Sequence, residues 1–178
     1  MNLKLKTEEA RKKLQRVKLL VLDVDGVLTD GSLFFSGDKE HVGRIFDVRD
    51  GFGIMTLQKA GVPVAIVSAG KEISMKGRFE VLGIEHMSFG SQDKLPAVRS
   101  IQEKLGVSDE ETAYMADELF DLPVLETVGV SVTVPEAPLP VKKRVEFISS
   151  KPGGKGAVRE LCDAIRWAQG IGPYSEEF

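Results

Sequence analysis

Short apolar runs alternate with amphipathic stretches along most of the chain. Lys18 to Asp23 carries Leu19, Leu20, Val21 and Leu22 in succession and is followed by Gly26, a run too short for a helix and read as a buried strand. Thr7 to Arg16 before it reads as a helix. Thr7 is a capping residue, Glu8 and Glu9 fall in the first turn, and Arg11, Lys12 and Lys13 come later, the order the helix dipole favours. Leu33 to Phe35 and Val42 to Val48 flank Ser36-Gly37-Asp38-Lys39, a hairpin pattern. Helices are then predicted over Gly51–Lys59, Glu72–Leu82, Lys94–Leu105 and Leu119–Val128, closed by Gly61, Gly83, Gly106 and Gly129. Between them lie predicted strands at Val62–Val67, near Met87, at Thr112–Met115 and at Val130–Val134. Ser108 and Glu111 have capping-box spacing over one turn. Pro135, Pro138 and Pro140 mark a loop, Val145–Ile148 reads as an edge strand, and Gly154–Gln169 as a terminal helix before a loose tail over about 170–178.

Strand and helix alternating at this spacing predict a parallel sheet with helices on both faces. The expected fold is an α/β three-layer sandwich with a mostly parallel, Rossmann-like sheet and a short β-hairpin insertion over about 32–47. A length of 178 residues suits one domain over 1–178. Ligands of such sheets bind outside the carboxyl ends of the strands, so chemistry is sought there. The net charge of -3 offers no electrostatic case for nucleic acid, which recruits basic surfaces. No apolar stretch approaches the roughly 20 residues of a membrane helix. Met1 to Arg16 lacks the apolar core of a signal peptide, and Cys162, alone, forms no internal disulfide. A cytoplasmic protein with neither a membrane nor a nucleic-acid partner is expected. His41 and His86 lie far apart without a ligand pattern.

The first strand ends in Asp23-Val24-Asp25-Gly26-Val27-Leu28-Thr29-Asp30. Side chains two apart on a strand share a face, so Asp23 and Asp25 can address one point. Two close carboxylates repel unless a cation joins them or one takes a proton. Mg²⁺ prefers oxygen ligands and sits between carboxylates and phosphates. A carboxylate can also attack phosphorus, with a second one moving the proton of the leaving oxygen. On its own, Asp-x-Asp-Gly is more often a loop with capping carboxylates; the apolar strand before it shifts the balance. Ser68, Lys94, Asp117 and Asp121 fall at or just beyond the ends of later predicted strands. Taken singly, Ser68, Asp117, Glu118 and Asp121 would be helix caps and Lys94 a solvated charge. Lys94 stands where it opposes a helix dipole, which mildly favours a functional reading.

Asp23 to Gly31, with Val48-Arg49-Asp50-Gly51-Phe52-Gly53 and Gly153-Gly154-Lys155-Gly156-Ala157, resembles the haloacid-dehalogenase superfamily. Within it, the chain is similar to the small capless branch that dephosphorylates 3-deoxy-D-manno-octulosonate 8-phosphate and related nine-carbon sugar acid phosphates. The resemblance covers about 17–170. It implies Mg²⁺-dependent hydrolysis of a small acidic sugar phosphate through an aspartyl-phosphate, with Asp23 as nucleophile and metal ligand. Asp25 would be the general acid/base and bind the metal through its carbonyl. Ser68 and Lys94 would hold the phosphoryl group, and Asp117, with Asp121 nearby, would bind metal. Arg49, Asp50, Gly51, Lys71, Arg78 and Lys155 are the candidate substrate contacts. The resemblance also implies a homotetramer built by pairing hairpins, in which a neighbouring subunit helps to cover each site.

Two motifs depart from the branch. The hydroxyl is usually followed by glycine and arginine, whereas Ser68 precedes Ala69-Gly70-Lys71; the usual Gly-Asp-Asp is Ala116-Asp117-Glu118. Lys71 replaces an arginine fork only as a point charge. The alternatives left open are a catalytically weak relative that binds a sugar acid or a partner protein, and a receiver-like domain that accepts phosphate without turnover.

Overall fold

The structure is a computed structural model and describes residues 8–35, 37, 42–71 and 75–172. Four consecutive apolar residues form β1 (Leu19–Leu22), and all are buried because the strand is central. It pairs in parallel with β4 (Val64–Ser68) on one side and β6 (Thr112–Met115) on the other. β5 (His86–Phe89) lies beyond β4, and β7 (Val130–Thr133) and β8 (Phe147–Ile148) lie beyond β6, all parallel. The sheet order is β5-β4-β1-β6-β7-β8. The chain thus builds one half of the sheet, returns across β1 and builds the other. Crossovers of one hand running in opposite directions place helices on both faces. The reversal opens a crevice at the carboxyl end of β1. This is the expected three-layer architecture. The hairpin of β2 (Phe34–Phe35) and β3 (Val42–Gly43) follows β1.

α7 (Ala157–Ala168) packs on α2 (Val48–Lys59) and on α1 (Glu8–Gln15). The α2–α7 contact is close because Gly53 lacks a side chain: a Cβ there would lie 3.0 Å from the Arg159 Cα. Asp50, buried in the first turn of α2, accepts the N–H groups of Gly156 at 3.2 Å and Arg159 at 2.8 Å. Its carboxylate thereby satisfies donors at the start of α7 that the packing would otherwise bury unpaired. Burial pushes the Asp50 carboxyl up, and these two donors partly oppose it.

Several element limits differ from the sequence expectation. α2 begins at Val48 because Asp47 caps it, accepting Arg49 N–H at 2.8 Å; β3 therefore stops at Gly43. The predicted helix over Leu119–Val128 is a 3₁₀ turn, Leu119–Asp121, followed by α5 (Leu122–Leu125). Gly129 is not a left-handed helix end. It is glycine because a Cβ would lie 2.5 Å from the Glu110 carbonyl oxygen. The proline loop contains α6 (Leu139–Lys142), with Pro140 in the first turn, where its missing N–H costs nothing. Gly154 and Gly156 adopt φ of 62° and 99°, which delays α7 to Ala157. Ser108 donates its hydroxyl to Glu110 while Glu111 accepts Ser108 N–H, so this segment is a turn and not a helix. α3 is Lys76–Val81, and α4 is Leu95–Leu105, closed by Gly106 at φ 64°. Thr7, Ser36, Asp38, Lys39, His41, Glu72 and 173–178 lie outside the described residues. No described helix is long and apolar enough to cross a membrane.

Asp50→Ala leaves two helix-start donors without their acceptor and is expected to cost about 1–3 kcal/mol. Denaturant unfolding checks this; an unchanged midpoint would contradict a tie between α2 and α7.

Candidate active site

Asp23 leaves β1 as Asp117 leaves β6, and the Asp23 N–H bonds the Met115 carbonyl at 3.0 Å, so the two carboxylates emerge side by side. Ser68 ends β4 on the other side. Together they open onto a cavity of about 530 Å³, lined also by Asp25, Gly26, Asp30, Gly70, Glu118, Phe120, Glu136 and Lys155.

Lys94, just before α4, is fully buried. Its Nζ lies 2.9 Å from Asp23 Oδ1 and 2.7 Å from Asp121 Oδ1, and 4.8 Å from the centre of the Phe120 ring. The Tyr114 hydroxyl donates to Asp121 Oδ1 at 2.6 Å. Oxygens of Asp23, Asp117 and Asp121 lie within 4.8 Å of one another. Three carboxylates therefore face one ammonium. Burial, and then the neighbouring carboxylates, push Asp117 up to about 7. Burial likewise raises Asp23 to about 6, although Lys94 opposes it. A site that disfavours its own negative charge in this way, with oxygen donors converging, fits a hard divalent cation.

Glycines permit this convergence. Gly26 has φ 85°, and a Cβ on it would fall 2.0 Å from Asp117 Oδ2. Gly153 packs on the same loop, where a Cβ would lie 1.8 Å from the Gly26 carbonyl oxygen. The Gly153-Gly154 pair is thus explained by close backbone packing. Ser68 is buried, and its hydroxyl accepts the Gly70 N–H at 3.1 Å.

Asp25 stands apart from the three clustered acids. Its carboxylate is gripped by Arg44 from the hairpin: Nε donates to Oδ1 at 2.6 Å and Nη2 to Oδ2 at 2.9 Å. Sequence reading missed Arg44, whose only signal is one cation between Val42 and Phe46 on a short apolar segment. Glu118 caps the 3₁₀ turn, as its reading as a cap expects, accepting Leu119 N–H at 2.6 Å; sequence reading missed that Glu136 lines the cavity. The Ala116 methyl is accommodated in the core.

The other predicted residues disperse. Lys155 lines the cavity, 3.8 Å from Asp30. Arg49 pairs with Asp47 and, with Lys155, borders a separate groove beside Arg159. Asp50 is spent on α7, and Gly51 packs against Arg78, whose guanidinium would meet a Cβ there at 2.6 Å. Lys71 is exposed just past the cavity-lining Gly70. The structure does not bring Arg49, Asp50, Gly51, Lys71 or Arg78 into the cavity wall.

A family profile of haloacid dehalogenase-like hydrolases matches residues 84–161. The 3-deoxy-D-manno-octulosonate 8-phosphate phosphatase KdsC of Escherichia coli K12 is 40% identical over 158 residues, 89% of this chain and 84% of that protein. The cobalt-bound deoxy-D-mannose-octulosonate 8-phosphate phosphatase of Haemophilus influenzae superposes with a TM-score of 0.85 at 40% identity, over 89% of this chain and 92% of the other. The 3-deoxy-D-manno-octulosonate 8-phosphate phosphatase of Moraxella catarrhalis, solved with magnesium, phosphate and KDO, gives a TM-score of 0.88 at 34% identity, over 92% and 94%. With identity of this level running through nearly the whole chain and the same fold beneath it, the protein belongs to the haloacid-dehalogenase superfamily, in the branch of the 3-deoxy-D-manno-octulosonate 8-phosphate phosphatases.

Proposed function

We propose that the protein hydrolyses a small acidic sugar phosphate, 3-deoxy-D-manno-octulosonate 8-phosphate or a related nonulosonate 9-phosphate, through an aspartyl-phosphate on Asp23. The observation that carries this reading is the buried Lys94 between Asp23 and Asp121 with Asp117 alongside. Phosphoryl transfer needs positioning and charge neutralisation more than elaborate bond chemistry, and this cluster supplies both.

Asp23, Asp117 and Asp121, with the Asp25 carbonyl, would hold Mg²⁺. The bound cation would neutralise charge on the transferring group. Lys94 keeps the Asp23 carboxylate oriented and offsets its charge, so that its free oxygen can attack phosphorus in line. Ser68 contributes a hydroxyl at the end of β4 to hold a phosphoryl oxygen. Asp25 passes a proton to the departing sugar oxygen and then takes one from the water that opens the aspartyl-phosphate. Lys155 at the rim supplies a cation to an acidic substrate. Exposed Phe34 and Phe35 on the hairpin support its pairing with neighbouring copies in a homotetramer. A weak relative that only binds is not favoured, because Asp23, Ser68 and Asp117 line one cavity with Lys94 held on Asp23.

Phosphate release with Mg²⁺ is the test, from 3-deoxy-D-manno-octulosonate 8-phosphate, nonulosonate 9-phosphates, hexose phosphates and an aryl phosphate. Fast release from one acidic sugar is expected, falling roughly 10³-fold or more in Asp23→Asn. Release from none by a folded protein, or wild-type-like turnover by that variant, would overturn the reading.

Magnesium should also change the pH dependence of stability. Asp23 and Asp117 bind protons more tightly in the metal-free fold, near 6 and 7, than at their ordinary value of 3.8. Their protonated forms favour the fold: this contribution is complete below the ordinary value and lost as pH rises through 6 to 7. Bound at Asp23, Asp117 and Asp121, Mg²⁺ would take the place of those protons. The rise in Tm on adding Mg²⁺ is therefore expected to be larger at about pH 8 than at about pH 5. Equal shifts in thermal unfolding at the two values would count against metal binding by this cluster.

A further inference from the structure

We propose that Arg44 selects the substrate: its guanidinium, docked on Asp25, is the anchor for the carboxylate of an acidic sugar phosphate whose phosphate lies at Asp23. This rests on the functional reading above and adds the residue that recognises the second anionic group.

The charge around the cavity raises the need for such an anchor. Asp25, Asp30, Glu118 and Glu136 all line it, beyond the clustered Asp23 and Asp117. A substrate carboxylate entering this wall meets like charges at short range, which disfavours binding unless a cation faces it. Lys94 is already shared between Asp23 and Asp121. Lys155 has a side chain more than half exposed, at 53%, so water and salt screen it. The Arg44 side chain is only 6% exposed, so salt screens it little; it lies behind the cavity-lining Asp25 and Gly70, and Asp25 shares its charge.

Its position is set by what position 70 lacks. Gly70 lines the cavity, and a Cβ there would lie 3.4 Å from Ser68 Oγ and 3.3 Å from Arg44 Nη2. With no side chain at 70, nothing from that residue separates the guanidinium from the Ser68 wall. The geometry with Asp25, two donors on two oxygens, is the one by which a guanidinium recognises any carboxylate. Asp25 thus marks where a carboxylate sits on Arg44. A substrate carboxylate shares the guanidinium with Asp25, which stays beside the departing oxygen in the proposed mechanism. The hairpin that carries Arg44 becomes part of the recognition surface.

The experiment measures kcat and KM for 3-deoxy-D-manno-octulosonate 8-phosphate and for glucose 6-phosphate, which has the same alkyl type of leaving oxygen and no carboxylate. The proteins are the full chain, Arg44→Gln, Arg44→Lys and the double variant Arg44→Gln/Gly70→Arg. The ratio of kcat/KM for the acidic sugar over glucose 6-phosphate is expected to fall about 10- to 100-fold in Arg44→Gln, chiefly through KM. Arg44→Lys should fall in between, as a point charge without a fork. The double variant should regain about 10-fold. Gly70 is outside the left-handed region, and its tightest other neighbour is the flexible end of Met75 at 2.8 Å, so an arginine can be built there toward the same point. A ratio unchanged in both single variants, or no recovery in the double variant, would overturn the proposal. Wild-type protein that hydrolyses glucose 6-phosphate but no acidic sugar phosphate would instead remove the functional reading, and the proposal with it.

Discussion

Lys94 is buried between Asp23 and Asp121, and much of the site is arranged around that ammonium. A charge removed from water is tolerated only where partners compensate it. Here two carboxylates do so, with the Phe120 ring over the cation and the Tyr114 hydroxyl on Asp121. The compensation overshoots once Asp117 joins, leaving more negative than positive charge in a desolvated place. Burial, and then that excess, raises the affinity of Asp23 and Asp117 for protons; in the proposed mechanism the same cluster would draw a divalent metal. One arrangement thus orients the proposed nucleophile and creates the demand for its cofactor.

The cluster depends on backbones approaching more closely than side chains allow. Gly26 admits Asp117 to the loop after β1, and Gly153 lets the segment before α7 lie on Gly26 itself. Because Asp50 fastens the start of α7 to α2, that loop is supported from below by the helix pair. The sheet order supplies the rest, since β1 lies between β4 and β6 and their ends deliver Asp23, Ser68 and Asp117 to one cavity.

The parts legible in the sequence are those written in local pattern. The apolar run Leu19–Leu22 announced a central strand, and the alternation after it announced the parallel sheet. Asp23 and Ser68 stood out because they end apolar runs, and Lys94 because it opposes a helix dipole. Long-range geometry was not legible. Arg44 meets Asp25 across a hairpin, and Asp50 meets Gly156 through the packing of two helices, so neither partner could be read from spacing. Asp50 consequently looked like a substrate contact when it serves as a helix tie. Gly129 looked like a helix end because a glycine required by a nearby backbone has the same letter as one required by its own φ. The helix around Pro123 was predicted too long and the one around Pro140 was read as loop, because both are single turns, shorter than a hydrophobic period can define.

The central claim is that the Lys94-held Asp23 accepts the phosphoryl group, and trapping that group tests it most directly. The protein is mixed with Mg²⁺ and an excess of 3-deoxy-D-manno-octulosonate 8-phosphate, quenched in acid within a single turnover, and digested for mass spectrometry. The account predicts a phosphoryl group on the peptide containing Asp23, removed by hydroxylamine as an acyl phosphate is. Turnover at full rate with no phosphoryl group on that peptide, or with the group on another residue, would contradict it.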